Sequence, residues 1–136
     1  MKRSAKIIIT DENDNILVLR RSLSHPFWGK HLDFPGGIIE KDETPEAGIL
    51  REVKEETGLD LDEDNLKLDI SKNKNFGYHA FVFEYNLKGN EPDIKISWEH
   101  DKYQWISKKE LTDLPMPEEV DWFYRLIVEY LKNNSL

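Results

Sequence analysis

Apolar and polar positions alternate from Phe76 to Leu87 and set His79, Phe81, Phe83 and Tyr85 on one face, the period-two pattern of a half-buried strand. Ala5–Thr10 and Ile16–Arg20 are short β-branched or aliphatic runs separated by the turn-forming Asp11-Glu12-Asn13-Asp14-Asn15, which predicts a hairpin. Ser22–Lys30, with Pro26 and Gly29, reads as a loop. Leu32–Phe34 reads as a short extended piece stopped by Pro35-Gly36-Gly37. A helix follows: Thr44 is a suitable N-cap, Pro45 suits the first helical position, and Gly58 suits a left-handed C-terminal cap. Leu66–Ile70 and Lys102–Ile106 predict further strands, and Ser107 with Glu110 forms a capping-box pattern for a short helix. Val120, Phe123, Tyr124, Ile127 and Leu131 recur at helical spacing, so a last helix beginning near Pro117 should pack on the sheet. The pattern predicts an α/β architecture with a mixed β-sheet in a single domain, residues 1–136.

Composition narrows the chemistry. With 136 residues, 38% of them hydrophobic, the chain can bury one core. It has no cysteine, which excludes disulfides, thiolate-held metals and thiol nucleophiles. A net charge of −8 disfavours nucleic-acid polymers and anionic membrane surfaces. No apolar run reaches the ~18 residues of a membrane span, and Ile7-Ile8-Ile9 is too short for a signal-peptide core. A soluble, unexported, cytoplasmic protein is expected.

The chemistry concentrates between Gly37 and Leu59. At about 100° per residue, Glu52, Glu55 and Glu56 share one side of the helix, opposite Ala47, Leu50, Val53 and Thr57. Gly48 lies on the glutamate side, where a side chain would crowd whatever they bind. Like charges at this spacing cost a few tenths of a kcal/mol, and a solvated acidic face is the plain alternative. Hard divalent cations remove the conflict, because Mg²⁺ and Mn²⁺ prefer oxygen ligands and leave positions for phosphate. An acidic chain can hold an anionic substrate in this way.

Gly37, Glu43, Arg51-Glu52-Val53-Lys54-Glu55-Glu56-Thr57-Gly58-Leu59 complete the pattern G-x5-E-x7-R-E-U-x-E-E-x-G-U (U aliphatic), and the chain thereby resembles the Nudix (MutT-like) hydrolases. Chance occurrence of that pattern in a chain of this length is on the order of one in ten million. The resemblance implies an α/β/α sandwich whose signature forms a loop–helix–loop against the sheet. It also implies Mg²⁺- or Mn²⁺-dependent hydrolysis of a nucleoside diphosphate linked to a group X. Carried over, Glu52, Glu55 and Glu56 are metal ligands, the Gly37 carbonyl adds another, and Arg51 and Glu43 orient the site by charge pairing. Glu99, in Ser97-Trp98-Glu99-His100, is the candidate for the further acid beyond the signature, with an ordinary loop acid as the alternative. Water attacks phosphorus in such a reaction, and Glu52 or Glu55, with Glu99 as rival, accepts its proton. Loss of most turnover is expected for Glu55→Gln.

Specificity must come from outside the signature. Phe27, Trp28, His31, Phe34, Phe76, Tyr78, Trp98 and Tyr103 are candidate stacking surfaces, each weighed against ordinary packing, with Phe34 and Tyr78 chosen as substrate-binding residues. Asn73 and Asn75 are candidates for reading base edges, against turn chemistry. The marks of NADH, ADP-ribose and coenzyme A pyrophosphatases are absent. A (deoxy)nucleoside triphosphate, cleaved to the monophosphate and pyrophosphate, is therefore the preferred substrate. A nucleotide-sugar or dinucleotide pyrophosphatase, or a non-catalytic nucleotide-binding module, is the alternative. Similar proteins are often homodimers.

Overall fold

The computed structural model describes residues 2–23, 29, 31–75, 77–89 and 93–134. The candidates Phe27, Trp28 and Phe76, the side chain of Asn75, and most of the expected Ser22–Lys30 loop lie outside the described residues. Among these residues seven strands form one sheet: β1 (Lys2–Thr10), β2 (Ile16–Arg21), β3 (Leu32–Asp33), β4 (Gly36–Ile39), β5 (Lys67–Asn75), β6 (Tyr78–Asn86) and β7 (His100–Ile106). The helices are α1 (Pro45–Thr57), α2 (Lys108–Asp113) and α3 (Trp122–Asn133). None is long and apolar enough to cross a membrane.

The sheet is mixed, as expected: β1 runs parallel to β6 and antiparallel to β4, β5 pairs with β6, and β2 with β7. Alternation along β1 feeds two cores. Ala5, Ile7 and Ile9 meet Ile49 and Val53 of α1, while Ile8 meets Phe123, Ile127 and Leu131 of α3. Helices therefore cover both faces of the sheet, which gives the sandwich.

One expectation is narrowed and two are corrected. β1 and β2 pair antiparallel across the turn, so the hairpin forms, but its ladder is the single pair Thr10 and Ile16 instead of the length of both strands. Proline and glycine concealed β4, whose glycines serve a close approach. Gly36 has φ +145°, and a Cβ there would stand 2.1 Å from the Ala5 carbonyl oxygen. The last helix starts at Trp122, because Pro117–Asp121 forms the connection to it instead of a first turn.

Helix α1 forms where its caps predict. Thr44 accepts a hydrogen bond from the Ala47 N–H at 3.1 Å, and Gly58 closes the helix at φ +77°. Its inner face is Ile49, Val53 and Thr57, whereas Ala47 is exposed. At Gly48 a Cβ would come 3.1 Å from the Ile39 side chain, so this glycine lets α1 pack closely on β4.

Candidate active site

One cavity of about 380 Å³ gathers the chemistry. It is lined by Gly36, Gly37 and Ile38 of β4, Glu52 and Glu56 of α1, Glu99 and His100 at the start of β7, Asp121, and Lys6, Arg21 and Asp33. Glu52 and Glu56 sit one turn apart, so their side chains follow one another along the helix face turned toward β4. Glu55 does not join them. At i+3 and i+4 from Glu52, Glu55 and Glu56 lie about 60° and 40° to opposite sides of it. Burying Glu56 therefore leaves Glu55 on the outer flank, with its side chain 58% exposed. The expected trio is in this structure a pair lining the cavity and a neighbour outside it.

An arginine organises that neighbour. Arg51 reaches Glu43 through Nε (2.8 Å) and Nη2 (2.9 Å), and its Nη1 donates to Glu52 (3.1 Å) and Glu55 (3.3 Å). Its Nη2 also donates to the Ile38 carbonyl at 3.0 Å. The paired guanidinium and the Glu40 N–H hold the Glu43 carboxyl down at about 2. One cation thus ties the loop before α1 to the helix and fixes where Glu52 can lie.

Acidic repulsion is concentrated on the inner pair. Burial raises Glu52, and the charges of Glu55 and Glu99 add to the rise against the pull of Arg51. Burial pushes Glu56 up to about 8, although Lys6 and the Gly36 N–H, which donates to Glu56 Oε1 at 2.9 Å, act in the other direction. These acids are held close enough to disfavour one another's charge.

The residues fit a hard divalent cation in kind. The donor set is all oxygen, and Gly37 is bare where a Cβ would stand 2.7 Å from the Glu52 carboxylate. Glycine here lets a carboxylate lie directly against the strand backbone. Among the described residues no three carboxylates or imidazoles yet converge on a single point, so a bound ion would draw the lining acids together.

The cavity is also lined by two buried cations, each paired with an acid, which the sequence reading missed. Asp33 Oδ2 accepts from Lys6 Nζ at 2.9 Å and from Arg21 Nε and Nη2 at 3.0 and 2.7 Å. Arg21 Nη2 also reaches Asp121 at 3.2 Å, and Lys6 Nζ donates to the Phe34 carbonyl at 3.2 Å. Burial opposes charge on all three side chains. The mutual attraction is stronger, so Asp33 lies below the usual carboxylate range and Lys6 above the usual lysine value. The available signal was a lone lysine inside the buried run from Ser4 to Thr10.

The stacking candidates separate. Phe34 has no exposed surface and stacks on Tyr124 with ring centroids 5.5 Å apart, so it is a core residue and not a platform for a base. Tyr78 is half-buried and stands edge-on to Trp122 at 6.1 Å, with Lys2 and Lys74 5.8 and 5.9 Å from its ring; it does not line the cavity. Trp98, beside Glu99, is 68% exposed. His79 stacks on Phe81 and hydrogen-bonds Ser71 and Asn73, which accounts for that asparagine locally.

A family model described as the NUDIX domain matches residues 1–131. A MutT-like protein of Streptomyces ambofaciens is 33% identical over 78% of this chain and 64% of its own length. An 8-oxo-dGTP diphosphatase of Proteus vulgaris is 44% identical over 40% of this chain and 47% of its own length. The chain thus spans between about half and two thirds of these relatives. The crystal structure of a MutT protein from Methanosarcina mazei Go1 superposes with a TM-score of 0.71, covering 97% of this chain and 93% of that one at 24% identity.

Proposed function

The chain belongs to the NUDIX family, and we propose that it hydrolyses the pyrophosphate bond of a nucleoside diphosphate linked to a further group, with a (deoxy)nucleoside triphosphate as the preferred substrate. The observation that carries this is the meeting of Glu52, Glu56, Glu99 and Gly37 around one cavity that also holds two buried cations. The Proteus vulgaris relative called an 8-oxo-dGTP diphosphatase, 44% identical over 57 residues, supports the triphosphate preference.

Glu52, Glu56, Glu99 and the Gly37 carbonyl would hold Mg²⁺ or Mn²⁺, with Glu55 reaching in by a change of rotamer. When bound, the cation supplies charge neutralisation at the phosphoryl oxygens and acidifies water. Glu52 is the preferred proton acceptor. It lies against Gly37 and Arg51 fixes its orientation, so its carboxylate is held in place to take a proton. Arg51 and Glu43 act by positioning. Tyr78 stays in this reading as a substrate-binding residue through its edge-on contact with Trp122, the sequence neighbour of the cavity residue Asp121.

The test is a panel of nucleotides with Mg²⁺ or Mn²⁺, coupled in parallel to inorganic pyrophosphatase and to alkaline phosphatase. Triphosphates should yield pyrophosphate in the first assay. Signal only in the second, with nucleotide sugars or dinucleotides, would move the substrate to the diphosphate-linked class. Nucleotide-induced thermal stabilisation with no turnover of any substrate would make the chain a binding module.

A further inference from the structure

A lysine in the middle of a buried strand is expensive, because its ammonium must be desolvated and then fully paired. Lys6 is only partly paired. Among the described residues the carboxylate hydrogen-bonded to it, Asp33, gives the same oxygen to both Nε and Nη2 of Arg21, and Glu56 acts on it only through space. Arg21 has the second acid, Asp121, within 3.2 Å, whereas Lys6 has only the Phe34 carbonyl besides. An ammonium has three N–H bonds. Two of them go to Asp33 and Phe34, and among the described residues no acceptor takes the third. The side chain lines the same cavity as the glutamates.

Stability alone does not account for such an arrangement, since buried ion pairs are commonly neutral or worse against apolar replacements of similar volume. Ile8, two residues on and pointing to the same side of β1, shows what the fold accepts there. A charge placed at that cost, with one donor left over at a cavity wall, fits an anion that arrives from solvent.

We propose that Lys6 is a substrate-binding residue whose remaining N–H donates to a non-bridging oxygen of a phosphoanhydride, a direct contact made without a divalent cation between them. This rests on the reading of the cavity as a pyrophosphohydrolase site, and it divides the work within it. The acids on α1 and at Glu99 serve the cation, and Lys6 serves the phosphate. The contact is made to bound substrate and persists through the reaction, so it belongs to binding more than to the chemical step.

The experiment measures binding of inorganic pyrophosphate by calorimetry in EDTA, using wild type, Lys6→Met and Lys6→Arg. Lys6→Met replaces the side chain by an uncharged one a single atom shorter and leaves Asp33 to the fork of Arg21. Expected are measurable binding to wild type, a loss of about tenfold or more in Lys6→Met, and recovery of most of it in Lys6→Arg. In turnover, Lys6→Met should raise KM by a similar factor with kcat changed by less than about threefold. Should that variant fail to fold, Lys6→Gln, which removes the charge but keeps an N–H donor for Asp33, takes its place and the same affinity is read. No binding to wild type in EDTA, or equal binding to Lys6→Met, overturns the proposal. A variant that loses only thermal stability also overturns it, since that outcome describes a structural strut. A wild type that cleaves no anhydride yet loses pyrophosphate affinity with Lys6→Met would sink the hydrolase reading and leave the phosphate contact standing.

Discussion

The two walls of the cavity were built in opposite ways. The acidic wall comes from consecutive turns of one helix, where Glu52 and Glu56 face the cavity, Glu55 flanks them in solvent, and their mutual repulsion is only partly relieved by Arg51. The cationic wall comes from three strands and the start of α3, wholly or largely buried, where Lys6, Arg21, Asp33 and Asp121 hold distant parts of the chain together. One wall keeps its charges in conflict for a ligand to resolve, and the other resolves most of its own. Removing a glutamate from the first should therefore cost activity, and removing the shared counter-charge Asp33 from the second should cost stability.

The comparison breaks most readily at Glu52. Glu52→Gln is expected to lower kcat by about a thousandfold, the upper part of the range for a general base, while the melting temperature holds or rises as repulsion from Glu99 and Glu55 is relieved. Pyrophosphate release under saturating Mg²⁺, with calorimetric melting of the same sample, checks both halves. Glu55→Gln sharpens the division within the helix. Because the Glu55 side chain lies outside the cavity lining, its loss of turnover should be nearer tenfold, smaller than the signature alone suggests. Equal losses in the two variants would mean that both glutamates work from inside the cavity during turnover.

The opposite wall should answer in stability. Asp33→Asn leaves Lys6 and Arg21 without their shared counter-charge, and a loss of about 3–5 kcal/mol is expected by chemical denaturation. The smallest effect concerns acid. Glu43 titrates near 2 in the folded chain, below its ordinary value, so its pairing with Arg51 stabilises fully above about pH 4.5 and fades as pH falls toward 2. Glu43→Gln should flatten that part of the acid unfolding curve and leave the region above pH 5 unchanged. An unaltered curve would show that the Arg51 contact does not persist in solution.

The asymmetry between the walls also explains what could be read from the sequence. The helix was legible because its signals are local: Thr44 and Pro45 start it, Gly58 ends it, and the glutamates fall at fixed spacing. Strand β6 was legible for the same reason, since the alternation of Phe81, Phe83 and Tyr85 needs no partner to be seen. The cationic wall joins residues whose proximity depends on how β1, β2 and β3 pair, and no local pattern encodes that pairing. Strand β4 was hidden because Gly36 and Gly37, which read as a turn, are there to let backbone and carboxylate approach. Phe34 was misassigned for a related reason. An aromatic residue beside a loop reads equally as platform or core until its neighbour Tyr124 is in place.

The central claim is that the inner acids of α1 exist to hold a divalent cation, and Mn²⁺ binding followed by electron paramagnetic resonance tests it most directly. Wild type should bind Mn²⁺ at neutral pH, and a variant carrying Gln at both Glu52 and Glu56 should lose that binding while remaining folded. Equal binding by both proteins, or none by wild type, would contradict the account.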